Sequence, residues 1–309
     1  MSLARFDWYE ATLSGLDLGG RLSVLHENVH LLARSVLQKC FDDPFFSADA
    51  DNHGWRLDDY QFEYGRGFNH YRFSLAVYSP VHVPICRFLY NEESSVHCIA
   101  SGKNSPLVSD VIRTICPNHS VTRVDSALDF LVVGDWERLV KLCNDLRDGD
   151  LLGRRLTTTT IMQDAETAGK TFYVGSMKSE SFLRIYDKTR EQKHSLPKHL
   201  HSEIADNWTR AEVVFRPTDK GQRLYLSKAS PADIWASSPT FNEFYRACVG
   251  GELGHLPEKE IRVPDADKAY WTALYQYRRS WERVLNQCGG DMHKFGEKVI
   301  NDLMTANLL

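Results

Sequence analysis

The 309-residue chain has no CxxC pair, no run of 18 apolar residues and no excess of positive charge. Its seven cysteines (Cys40, Cys86, Cys98, Cys116, Cys143, Cys248, Cys288) are odd in number and widely spaced. That argues against a disulfide framework or a thiolate zinc knot and for reduced thiols. The opening MSLARFDWYEATLSG has early charges and no apolar leader core. The expectation is a cytoplasmic protein with no membrane partner. With 37 Lys/Arg against 41 Asp/Glu the net charge is −4, so a nucleic acid would have to be held by a local basic surface and not by a general positive field. What remains is the composition of an ordinary globular protein, 42% hydrophobic, 11% aromatic and 25% charged, which excludes a disordered or fibrous chain.

The pattern predicts an α+β fold. Segment 3–10 carries strand-like aromatics, and 21–39 repeats Leu22, Leu25, Val29, Leu32, Val36 and Leu37 at helical spacing. Strands are expected at 55–64, 70–78, 84–90 and 95–100, then a helix at 106–115 stopped by Pro117. From residue 119 the order restarts: strand 121–133, helix 135–147, strands 155–162, 171–176, 182–188 and 207–216, then short helices over 218–250. This predicts two related antiparallel-sheet halves with packed helices, 1–118 and 119–260, and a helical C-terminal segment, 261–309, interrupted by Gly289 and Gly290.

Three constellations carry potential chemistry. His26-Glu27-Asn28-Val29-His30 is an HExxH match on a helix, placing two imidazoles one turn apart as a zinc peptidase needs. No HxxGxxH extension or evident third ligand follows, so a solvated or capping histidine pair is the plainer reading. His199-Leu200-His201 has the spacing of two ligands on one strand, but it follows Pro197 in a polar stretch that reads as a loop or helix start. The third constellation is spread over the second half. Alternation puts Arg123, Asp125, Ala127 and Asp129 on one strand face, Arg184, Tyr186 and Lys188 on another, and Arg210, Glu212, Val214 and Arg216 on a third. If these strands are neighbours, carboxylates, a phenol and cations converge where a divalent metal and a phosphate would fit; surface salt bridges would give the same alternation.

Charge adds some support. Residues 170–228 hold twelve Lys/Arg and seven Asp/Glu, an excess of five in a chain that is negative overall. Such a region suits phosphate contact, as it would an ordinary solvated surface. ALYQYRRSWER (273–283) interleaves aromatics with arginines in a helix, a pattern that serves core packing first.

The block TFYVGSMKSESFLRIYDKTRE (171–191), preceded by RVDSALDF (123–130) and followed by RAEVVFR (210–216), resembles the replication initiation factor family. These are the trans-acting Rep proteins of rolling-circle plasmids, filamentous phages and mobile elements. The opening FDWYEATL (6–13) is similar to that family's start, and the likeness spans roughly residues 3–250. Met177 departs from it, standing where an arginine often follows Gly-Ser. The resemblance implies origin-specific nicking and joining of DNA through a 5′-phosphotyrosine, in rolling-circle replication of a phage or plasmid.

By position it makes Tyr186 the nucleophile, flanked by Arg184 and Lys188, with Tyr173 a rival whose plain reading is strand packing. It makes Asp125 and Glu212 ligands of Mg²⁺ or Mn²⁺, with Asp129 a weaker third. From the local basic charge and the strand faces, Lys178, Arg190, Arg210 and Arg123 are the expected DNA contacts. The implied partners are a double-stranded replication origin with its single-stranded nick region, and a host helicase and polymerase. A homodimer would follow if the origin is an inverted repeat. A conjugative relaxase, a non-catalytic DNA-binding regulator of the same fold and the zinc peptidase are the competing readings.

Overall fold

The computed structural model describes residues 4–13, 22–92, 96–148, 158–162, 169–195, 201–202, 204–250, 253, 256 and 278–305. The chain forms two compact units, Met1–Lys259 and Glu260–Leu309.

The first unit is built on one ten-stranded antiparallel sheet. Its strands are β1 (Arg5–Leu13), β2 (Gln61–Arg66), β3 (Phe73–Tyr78), β4 (Pro84–Tyr90), β5 (Val96–Ser101), β6 (Ser120–Phe130), β7 (Thr158–Met162), β8 (Lys170–Val174), β9 (Ser181–Asp187) and β10 (Thr209–Phe215). They lie in the order β2-β3-β4-β5-β1-β6-β10-β9-β8-β7. Read outward from the β1/β6 seam, each side repeats one plan: a first strand, then the last strand of a four-strand meander, then that meander in reverse. The α+β fold of two related antiparallel halves is therefore present, and the two halves share a single sheet.

The helices are α1 (Leu22–Phe41), α2 (Pro44–Asn52), α3 (Ser105–Ile115), α4 (Asp135–Asp148), α5 (Lys188–Ser195), α6 (Lys220–Leu226) and α7 (Pro239–Val249). Of these, α1 and α3 pack against the N-terminal half, and α4 and α6 against the C-terminal half. The core between them takes alternate strand residues, among them Tyr9, Ala11, Leu13, Val124, Leu128, Leu183, Ile185, Ala211 and Val213, all buried, as period-two side-chain alternation requires. The intervening residues point to the opposite face, where the polar groups collect.

Local chemistry explains the departures from the expected elements. The strand expected at 55–64 begins only at Gln61, because Leu57–Asp59 form a 3-10 turn in which the Asp59 carboxylate accepts the Arg56 N–H at 2.6 Å. The next strand begins at Phe73, after Asn69 and His70 adopt positive φ in the preceding loop. Helix α2 is started by Asp43, whose side chain accepts from the N–H groups of Phe45 and Phe46 ahead of a proline in the first turn. Helix α5 starts where β9 ends, so Lys188 belongs to a helix and not to the strand.

The second unit contains α8 (Arg278–Gln287) and α9 (Met292–Thr305). Gly289 and Gly290, at φ 66° and 80°, make the turn between them, and Trp281 meets Phe295 edge to face at 6.0 Å. Tyr275 lies outside the described residues. No helix among the described residues is long and apolar enough to cross a membrane.

Candidate active site

Strands β9, β10 and β6 are direct neighbours, and their register stacks the polar residues in rows. Tyr186 lies opposite Arg210, which lies opposite Asp129; one step along, Arg184 lies opposite Glu212, which lies opposite Ala127; the next row is Phe182, Val214, Asp125. Asp125 and Glu212, respectively 1% and 0% exposed, are held by cations. Arg184 Nη2 donates to Glu212 Oε1 at 2.7 Å and lies 4.0 Å from Asp125, while Arg123 donates to both Asp125 oxygens at 2.9 and 2.6 Å. The phenol of Tyr186 donates to the other Glu212 oxygen, Oε2, at 3.0 Å.

The electrostatics of this group are dominated by burial. Desolvation pushes the Glu212 carboxyl above the usual carboxylate range; Arg184 pulls it back and the neighbouring Asp125 pushes it further up. Desolvation and the charge of Glu212 push the Tyr186 phenol well above its ordinary value, against the opposing pull of Arg210 and Arg184. Desolvation lowers Arg184, but its contacts with Glu212 outweigh that and hold it firmly protonated. A phenol with a raised pKa is a poor nucleophile at rest, and its hydrogen-bonded carboxylate is the group placed to take its proton.

Asp129 belongs to a different cluster. Its carboxylate accepts from Arg210 Nε at 2.7 Å and from Trp208 Nε1 at 2.6 Å, and pairs with Arg5 at 2.9 Å. Arg210, 1% exposed, also donates to Asp7 at 2.7 Å. Asp7 is the extra residue of a β-bulge between β1 and β6; alternation keeps it on the face of Arg5, and the bulge brings Trp8 to that face as well. Asp129 thus does not share its partners with Asp125 and Glu212. Among the described residues no group of three or more His, Cys, Asp or Glu is arranged to hold a metal ion. The two carboxylates that do converge fit a divalent ion of the kind that takes one or two protein carboxylates and completes its shell with water and substrate phosphate.

The proposed cations divide by exposure. Arg210 is sealed in its ion pairs. Lys188 is buried, pairs with Glu191 at 2.6 Å and sits 5.7 Å over the Tyr186 ring. Arg123 lies 4.3 Å over the Trp8 ring. Lys178 and Arg190 are exposed, the latter 3.4 Å from Asp187. Tyr173 lies opposite Arg184 across the β8/β9 pair and lines, with Tyr186, a cleft of about 250 Å³ closed on one side by Glu191 and His194 of α5.

One residue here, Glu191, had no role in the sequence reading. It was hidden because the strand pattern was carried through Lys188. Arg216, expected on the face of Glu212, follows β10 there; desolvation first, and then the charge of Arg123, lower its pKa.

The other two motifs contribute no such centre. His26 Nδ1 is hydrogen-bonded to Tyr90 at 2.7 Å and His30 Nδ1 to Tyr64 at 3.0 Å, so each ring of HENVH is engaged by a different tyrosine. His199 lies outside the described residues, and His201 sits in a turn.

A model of the replication initiation factor family matches residues 119–290, more than half of the chain. The chain belongs to that family. The matched span contains β6, β9 and β10, and so every acid, cation and phenol of the Asp125–Glu212–Arg184–Tyr186 group. None of the curated proteins matches the chain. Among solved structures, a rolling-circle replication initiator protein from Geobacillus stearothermophilus is 16% identical, over 86% of this chain and 90% of that one, with a TM-score of 0.43.

Proposed function

We propose that this protein initiates rolling-circle replication by nicking and rejoining one strand of an origin through Tyr186. The observation that carries the reading is the hydrogen bond from the Tyr186 phenol to the fully buried Glu212, with Arg184 on the second carboxylate oxygen. Glu212 accepts the phenolic proton as the phenolate oxygen attacks phosphorus. The bond from phosphorus to the 3′ oxygen breaks, and that oxygen leaves and takes up a proton as a free 3′-OH. The 5′ phosphate stays on Tyr186, and the reverse reaction closes a strand. Arg184 and Arg216 face the position where charge develops on the phosphate.

Asp125 and Glu212 are the residues that would hold Mg²⁺ or Mn²⁺. A divalent ion so placed supplies Lewis-acid charge to the phosphoryl oxygens. The exposed Lys178 and Arg190 suit origin phosphates, whereas Arg210 acts by positioning Asp129 and the strand that bears Glu212. Helicase and polymerase partners are the proposal's downstream consequence, since a free 3′-OH is what a polymerase extends.

The test is covalent capture. Oligonucleotides from the replicon that encodes the protein, incubated with it and Mn²⁺, should give a shifted band on a denaturing gel that Tyr186→Phe lacks while still binding DNA. A shifted band from Tyr186→Phe would move the nucleophile to Tyr173. DNA binding with no covalent product from the folded wild-type protein would make it a regulator.

A further inference from the structure

Outside the Tyr186 group, the same open face continues across the seam onto the N-terminal half, where aromatic and polar side chains form two neighbouring groups. Arg123, which grips Asp125, lies 4.3 Å over Trp8. Trp8 Nε1 donates to Glu10 Oε1 at 2.7 Å, and Glu10 Oε2 is 3.7 Å from His97 Nε2. The His97 ring is hydrogen-bonded to Thr12 at 3.2 Å and stacked against Tyr71 at 5.6 Å. On the next strand Arg87 lies 5.9 Å over Phe68 and donates to Tyr78 at 3.2 Å. The register confirms one common face: Trp8 opposes both Asp125 and Ser101, and Arg87 opposes Ile99.

We infer that this half of the sheet is a track for the single-stranded DNA on one side of the nick, with bases stacking on Trp8, Tyr71 and Phe68. Three observations favour that occupant. The aromatics are half-buried or, for Phe68, 42% exposed, and they are interleaved with the arginines Arg123 and Arg87, the combination that binds single strands through base stacking and phosphate charge. The acid in the middle, Glu10, is already paired with Trp8 and His97, so it does not confront a phosphate unpartnered. The track is continuous with the Tyr186 site, five strand spacings or roughly 24 Å from β9 to β4, a distance a few nucleotides cover.

Gly67 fixes the loop that delivers two of these rings: a Cβ there would lie 2.4 Å from the Tyr71 carbonyl oxygen. The inference rests on the proposed nicking function for the identity of the strand, and its test does not depend on cleavage.

Fluorescence anisotropy with labelled oligothymidylates of about four and about sixteen nucleotides reads the track directly, because such strands carry no origin sequence. The wild-type protein should bind the long strand more tightly than the short one. Trp8→Ala should weaken the long strand about tenfold, Trp8→Phe should recover most of that loss, and Phe68→Ala, at an exposed ring, should weaken it severalfold without disturbing the fold. Equal affinity for both lengths, or unchanged long-strand binding by folded Phe68→Ala and Trp8→Ala, would overturn the inference. So would light scattering that showed a dimer broken by Phe68→Ala with DNA binding intact, which would make a second copy the occupant. Loss of the Tyr186 linkage proposal would leave these affinities as they are.

Discussion

Strands β1, β5 and β4 on one side of the seam and β6, β10 and β9 on the other hold matching places in one sheet, yet they carry different chemistry. On the N-terminal side Glu10 is partly exposed and bonded to Trp8 and His97. Burial pulls its pKa up, but the nearby His97 ring, the Trp8 hydrogen bond and the charge of Arg123 outweigh the burial and lower it below the usual range. On the C-terminal side Glu212 is fully buried beside a phenol and a second acid, and its pKa moves the other way. The same sheet therefore holds a settled polar contact on one side and a buried carboxyl bonded to a phenol on the other, according to what stands on the flanking strands.

The largest expected break in this comparison is chemical. Tyr186→Phe should abolish covalent attachment to DNA, while Tyr78→Phe, on the same face of the other half, should leave attachment at the wild-type rate in the same gel. Next comes stability. Arg210→Ala removes the buried cation shared by Asp7 and Asp129, leaving Asp129 only Arg5 and Trp208, and should cost about 3–5 kcal/mol, read from urea midpoints, whereas Arg87→Ala should cost about 1 kcal/mol or less.

The pH dependence of stability sharpens the contrast. Glu212 has a folded pKa above its unfolded value near 4.5, so its contribution is fully present below that value and is lost as pH rises through the elevated one. Glu10 has a lowered folded pKa, so its contribution is present above about 4.5 and is lost as pH falls through the lower one. Relative to wild type, Glu212→Gln should therefore gain stability as pH rises from mildly acidic to neutral, and Glu10→Gln should lose a smaller amount as pH rises through the acidic range. Urea midpoints across that interval that ran parallel for both variants would contradict the assignment. The smallest effect should be at Arg190: Arg190→Ala, at an exposed ion pair, should change stability by no more than about 0.5 kcal/mol, and should weaken origin binding mainly at low salt.

Much of this was legible in the sequence because alternation is local. RVDSALDF, SFLRIYD and TRAEVVF each announce which residues share a face, and the helical spacing of Leu25, Val29, Leu32 and Val36 announces α1. Helix α2 was not anticipated: Asp43-Pro44 caps it, but its short apolar pattern is weak. Helix α5 was not legible, since its residues KTREQKHS have no apolar stripe and form a helix against β10 and Tyr186 through tertiary contact. Glu191 was lost with it.

The sequence by itself determined which residues of β6, β9 and β10 share a face and the identity of the acids, cations and phenol, because a period of two depends only on neighbouring residues. Only the tertiary structure decided which strands meet. It set β1 beside β6 at the centre, placed Glu212 opposite Arg184 and near Asp125, and sent Asp129 to Arg210. It also brought Asp7 to Arg210 across 203 residues of chain. Such pairings are fixed by sheet order, register and a bulge, which arise from packing the whole sheet against its helices and leave no local pattern to read.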